Sequence, residues 1–112
     1  MTHNKLVRDK IPEIMQKNGQ DPVTRILGER AYHQSLCQKL QEEIDEYLES
    51  HDAEELADII EIVYALAKTQ NISVESLEHT RLQKREKHGG FEKRIFLVEA
   101  FDDDSSDIDN DL

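Results

Sequence analysis

The run Leu56-Ala57-Asp58-Ile59-Ile60-Glu61-Ile62-Val63-Tyr64-Ala65-Leu66-Ala67 constrains this chain more than any other stretch. It is apolar nearly all round a helix, yet shorter than the ~20 residues a membrane span needs, so protein must cover it on most sides. One helical hairpin offers too few neighbours, and a dimer is expected to complete the fold. Asp58 stands inside this run. A lone carboxylate there costs several kcal/mol in desolvation unless it is paired or metal-bound.

The preceding segment repeats Leu36, Leu40, Ile44 and Tyr47/Leu48, the spacing of a helix with one buried stripe, and reads as helical from about Glu29 to Glu49. It carries Glu42, Glu43 and Glu46. At 100° per residue, Glu43 lies roughly 80° and Glu46 roughly 140° from the stripe, with Glu42 about opposite it. Ser50-His51-Asp52 interrupts the pattern, and Asp52 with Glu55 reads as a capping box for a helix from Ala53 to about Lys68. So short a connection makes the two helices an antiparallel hairpin. As residues three apart share a helix face, Glu43 points with Glu46, and Glu55 with Asp58. Glu55 has a second reading as the reciprocal residue of the cap.

The flanks are read in the same way. Ile11-Pro12 opens a short helix through Lys17, ended by Asn18-Gly19. Val23 to Leu27 alternates as a short strand or extended segment. Ser73 caps a helix from Val74 to about His88, stopped by Gly89-Gly90. Phe91 to Phe101 reads as an extended segment or strand that could pair with Val23 to Leu27. The expected fold is therefore all-α, a bundle of three to four helices with a small β appendage, in one domain over residues 1–101. Residues 102–112 read as a disordered acidic tail.

Charge narrows the function. The chain carries 25 acidic and 14 basic residues for a net −11, of which Asp102, Asp103, Asp104, Asp107, Asp109 and Asp111 supply six charges. Such a balance argues against a phosphate-backbone footprint, and no nucleic-acid partner is expected. Cys37 is the single cysteine; its place near the apolar stripe predicts a buried structural thiol. The N-terminal residues are polar, without a signal-peptide pattern, so no membrane association and a cytoplasmic location are expected. His3, His33, His51, His79 and His88 lack paired zinc-ligand spacing, and Gly89-Gly90 lacks the rest of a phosphate-loop fingerprint.

Three readings of the carboxylates compete. They are solvated acidic faces, a structural or di-iron metal site, or a catalytic Mg²⁺ site. The Glu-x-x-His pairs of di-iron bundles are absent from the central helices. A divalent cation would relieve both the burial of Asp58 and the mutual repulsion of the acids, and oxygen-only ligands favour Mg²⁺ or Mn²⁺.

The pattern Glu42-Glu43-x-x-Glu46 followed by Glu55-x-x-Asp58 resembles the signature of the MazG-like all-α nucleoside triphosphate pyrophosphohydrolases. Asn4-Lys5-Leu6-Val7-Arg8-Asp9-Lys10-Ile11-Pro12-Glu13-Ile14 and Gly89-Gly90-Phe91-Glu92-Lys93-Arg94-Ile95-Phe96-Leu97 are similar to the two ends of its small phosphoribosyl-ATP pyrophosphohydrolase-like branch. The resemblance implies Mg²⁺-dependent hydrolysis of a nucleotide between its α- and β-phosphates, giving a monophosphate and pyrophosphate. It implies metal ligands at Glu43, Glu46, Glu55 and Asp58, with Glu42 holding a second ion or accepting the proton of the attacking water. Arg8, Lys84 and Arg94, in or beside the flanking motifs, are the candidate phosphate-binding cations. The spacer between Glu46 and Glu55, residues 47 to 54, is shorter than the broader MazG pattern and leaves little room for a base-reading loop. Two alternatives stand beside this one: a phosphoribosyl-ATP pyrophosphohydrolase of histidine biosynthesis, and a non-enzymatic helical interaction module with an acidic tail.

Overall fold

The structure is a computed structural model that describes residues 3–101; the acidic tail expected over 102–112 lies outside them. Four helices follow one another: α1 (Ile11–Lys17), α2 (Glu29–Ser50), α3 (Ala53–Thr69) and α4 (Val74–His88). No helix among the described residues is long and apolar enough to cross a membrane. The chain forms two compact units, one up to Thr80 and one from Arg81 onward, with α4 passing from the first into the second.

The all-α expectation holds, and the β appendage does not. Among the described residues there is no strand: Val23 to Leu27 and Ile95 to Phe101 are irregular. Val23 and Ile26 are almost fully exposed, as are Phe91 and Phe101. β-Branched and aromatic residues favour a strand only where a neighbouring strand and a buried face receive them, and neither segment has one here.

Local signals explain the helix ends. Pro12 lies in the first turn of α1, and Gly19 follows the helix with φ +82°. His51 closes α2 in the left-handed conformation, φ 58°, its N–H donating to Tyr47 O at 2.8 Å. The Ser73 hydroxyl accepts from Ser76 N at 3.1 Å and caps α4, and Gly89 ends that helix with φ +88°. In the second unit Arg85 Nη2 reaches Glu92 Oε1 at 2.6 Å. The Arg85 contact holds the Glu92 carboxyl below its ordinary pKa.

The α2–α3 hairpin is the one helix pair in close backbone contact among the described residues. Its antiparallel sense is visible at the open end, where His33 near the start of α2 meets Thr69 at the end of α3, Nδ1 to Oγ1 at 3.3 Å. The core is small. Among the described residues Leu36, Ile62 and Ala67 are the buried apolar ones, while Leu56, Ile60 and Val63 on α3 remain 43, 51 and 36% exposed. Those three sit roughly 100° to 160° around the helix from Ile62. One side of α3 is packed on α2, and an apolar side is left uncovered.

Candidate metal centre

Among the described residues Glu43 is the buried charged one, 7% exposed. It falls seven residues after Leu36, about 20° from it around α2, so the helix period that buries Leu36 carries Glu43 inward as well. The sequence reading placed it at the edge of the core; the structure places it inside. On α3, Glu55 and Asp58 lie within about 40° of Ile62 and so turn toward α2. Both are half-buried, while Glu46 is exposed.

Two carboxylate oxygens on these facing helices, Glu43 Oε2 and Glu55 Oε2, are buried with no hydrogen-bond partner. Such orphans are uncommon in folded proteins and point to an unmet ligand or to a functional role. Burial first, then the nearby charges of Glu46 and Asp58, push the Glu43 carboxyl above its ordinary pKa, with Lys39 pulling it down. Lys39 Nζ stands 3.9 Å from Glu43 Oε1. The same electrostatics that raise Glu43 show that α2 and α3 bring Glu43, Glu46 and Asp58 into one field.

Asp58 already has a cation. Arg8 of the N-terminal segment reaches it at 2.5 Å, Nη2 to Oδ1, across fifty positions of sequence. The desolvation problem posed by Asp58 is thus met by a guanidinium, and Arg8 sits at the carboxylate centre. Among the described residues no three His, Cys, Asp or Glu side chains converge closely enough to hold a metal ion as they stand. Asp58 is turned to Arg8, while Glu46, though exposed, keeps its side chain against Glu43, so joint ligation requires Asp58 to rotate. The donor set fits a hard divalent cation: all oxygen, anionic, and including two oxygens without partners.

The capping-box reading of Glu55 fails. Asp52 occupies the N-cap with extended backbone, φ −81° and ψ 140°, but makes no side-chain cap hydrogen bond. Its own N–H, which Glu55 would have to accept, donates to Ser50 Oγ at 3.1 Å. Ser50 has taken the place of the reciprocal acid, and Glu55 Oε2 is left for another partner.

Glu42 is half-buried beneath the N-terminal segment, in a small polar cleft with Asn4, Lys5, Leu6, Ser35, Gln38 and Lys39. Its position about opposite the α2 stripe is therefore covered by coil rather than by a helix. Lys5 belongs to the basic N-terminal segment that the sequence reads as either a solvated face or an anion contact, whereas Lys39 is a basic residue near the acids that sequence reasoning missed. Its signal was weak, because α2 position 39 shows its neighbours only once the N-terminal segment is laid on the helix. Lys84 and Arg94 are exposed in the second unit, Arg94 left-handed at φ 58° in a turn closed by its N–H on Phe91 O.

Cys37 is exposed, contrary to the buried thiol expected from the stripe. Four residues from His33, its Sγ stands 3.7 Å from His33 Nε2. Thr69 spends its hydroxyl proton on Leu66 O at 2.6 Å, so it accepts from His33 Nδ1, and Nε2 is left to accept from the thiol.

No protein-family model matches the chain, and no solved structure matches it. It is similar to an uncharacterized protein of Mycolicibacterium smegmatis, 46% identical over 41 residues, a stretch covering 37% of this chain and 42% of that protein. The match therefore spans less than half of that relative's length.

Proposed function

We propose that this chain is a Mg²⁺-dependent nucleotide pyrophosphohydrolase, cleaving a nucleoside triphosphate or related nucleotide between its α- and β-phosphates. The observation that carries the reading is the pair of buried, unpartnered carboxylate oxygens on facing helices, Glu43 Oε2 and Glu55 Oε2, beside Asp58. The resemblance of the acidic motif to MazG-like enzymes supplies the reaction class.

Glu43, Glu46, Glu55 and Asp58 would hold the cation, Mg²⁺ or Mn²⁺, from the two sides of the hairpin. When bound, the ion neutralises charge developing on the phosphates and makes water a better nucleophile. Glu42 is the residue of this set available as a base, since it stands outside the four ligands and in the small polar cleft beside them; its carboxylate would accept the proton of the attacking water. Arg8 would leave Asp58 to the cation and turn its guanidinium to a substrate phosphate, a switch that keeps Asp58 neutralised throughout. Lys84 and Arg94 remain candidates for further phosphate contacts. The uncovered face of α3, Leu56, Ile60 and Val63, supports a homodimer or higher homo-oligomer. A lone exposed thiol fits the reducing cytoplasm.

Purified protein incubated with Mg²⁺ and a panel of nucleoside triphosphates, damaged nucleotides and phosphoribosyl-ATP should release pyrophosphate rather than orthophosphate. Hydrolysis of phosphoribosyl-ATP alone would assign the histidine-biosynthetic activity. Inactivity across the panel, with no Mg²⁺-linked rise in melting temperature, would leave the helical interaction module, to which the exposed Phe91, Ile95, Phe96 and Phe101 are suited. Within the site, Asp58→Asn should stay folded and lose both activity and Mg²⁺-linked stabilisation; unchanged activity removes Asp58 from the centre.

A further inference from the structure

We infer that the cleft between the N-terminal segment and α2 is a phosphoryl-binding subsite, with Lys5 and Lys39 as its cations. The inference rests on the hydrolase reading for its place in catalysis, but its geometry stands apart from the four acids. Asn4, Lys5 and Leu6 form one wall, and Ser35, Gln38, Lys39 and Glu42 on α2 form the other. The α2 residues recur at three- and four-residue spacing, so one face of the helix supplies a hydroxyl, an amide and an ammonium group in adjacent turns. Across from them, Lys5 adds a second ammonium and Asn4 a second amide, with Asn4 held in the left-handed backbone conformation at φ 48°.

Size and chemistry choose the ligand. The cleft has a volume of about 30 Å³, far below the ~300–1,000 Å³ of pockets that enclose a nucleoside-sized molecule. It has no room to enclose a base or sugar and admits only one or two ligand oxygens, so the choice of ligand falls to the chemistry of the lining. Its donors outnumber its acceptors, with Glu42 the single anionic side chain, which favours an anion with several oxygens. Lys39 Nζ also stands 3.9 Å from Glu43 Oε1, so the cleft adjoins the carboxylate centre through one shared cation. A phosphoryl group seated between Lys5 and Lys39 would therefore lie next to Glu42 and Glu43, with the nucleoside left to extend outside. The ligand class is the phosphate end of a nucleotide, or free pyrophosphate, which shares that chemistry.

Calorimetric titration of pyrophosphate into the metal-depleted full-length chain tests the site apart from the metal. Pyrophosphate should bind, and Lys5→Gln and Lys39→Gln should each weaken binding by about tenfold, the loss of one charge-assisted contact. Lys5→Gln should leave Mg²⁺ affinity unchanged, because Lys5 does not pair with the four acids, and should raise KM for a triphosphate more than it lowers kcat. Adenosine titrated as a control should not bind through the cleft. Pyrophosphate binding that depends on Lys5, in a protein that hydrolyses no nucleotide, supports the subsite and removes the hydrolase reading. Nucleotide hydrolysis with pyrophosphate affinity and KM indifferent to both lysines overturns the subsite and keeps the hydrolase. Absence of pyrophosphate binding to the wild-type chain, with or without Mg²⁺, also overturns it.

Discussion

Replacing Glu43 by Gln separates the price of a buried charge from its use. In metal-depleted protein Glu43 is 7% exposed, has one carboxylate oxygen without a partner, and, when ionised, lies in the field of Glu46 and Asp58. Glutamine keeps the shape and removes the charge. The relief should exceed the lost i,i+4 contact with Lys39, worth about 0.3–0.5 kcal/mol. A net gain of about 1 kcal/mol follows, within the range for an unsatisfied buried group, and raises Tm by about 4–8 °C. The pH dependence has a definite sign. Because the folded carboxyl titrates above its ordinary value of 4.5, its favourable contribution is fully present below 4.5 and is lost as pH rises through the raised value. The wild type should thus approach the variant in stability as pH falls toward 4.5, and the gap should widen as pH rises through the raised value. With Mg²⁺ at 100 times its dissociation constant the order reverses, since the wild type gains about 2.7 kcal/mol and the variant should lose most of that gain. Thermal melts followed by circular dichroism at several pH values, with and without Mg²⁺, read every term. A variant less stable than wild type at pH 7 without metal would refute the argument from burial; an unchanged Mg²⁺ gain would refute ligation by Glu43.

Three further expectations can be checked by separate measurements. Arg8→Gln frees Asp58 from its ion pair at a cost of at most about 1 kcal/mol, as the Arg8 side chain is 56% and the half-buried Asp58 side chain 37% exposed; titration should then show severalfold tighter Mg²⁺ binding, and weaker binding would mean that Arg8 supports the site instead of competing for Asp58. Ile60→Glu places a charge on the uncovered face of α3, and sedimentation should shift from oligomer to monomer with the helix content retained; an unaltered oligomer would move the interface elsewhere. Cys37 should be alkylated by iodoacetamide in native protein at a rate close to that of the unfolded chain, whereas strong protection would show that the face of α2 carrying it is covered in the assembly.

The four helices were legible because their signals are local. Pro12 at the start of α1, Ser73 before α4, Gly89 after it, and the apolar spacing of α2 and α3 act over a few residues, and the structure follows each of them. The acidic motif was legible for the same reason, as three-residue spacing sets side chains on one face whatever surrounds the helix.

Partnership was decided by the fold. Val23 to Leu27 and Phe91 to Phe101 have strand-like residues, but a strand exists only where a second strand is delivered beside it, and among the described residues there is no strand. Asp52 and Glu55 have the spacing of a capping box, yet Ser50 takes the bond that would close it. Cys37 lies near an apolar stripe but on the side that α3 leaves uncovered. Most of all, Asp58 looked like an acid that needed an ion; fifty residues away, Arg8 supplies a guanidinium. Sequence by itself determined which residues are helical and which acids share a face, because a helix repeats every 3.6 residues. Only tertiary structure decided that Glu43 is buried, that Asp58 is paired and that Lys5 meets Lys39 across a cleft, because each depends on which distant segment comes to rest on the hairpin.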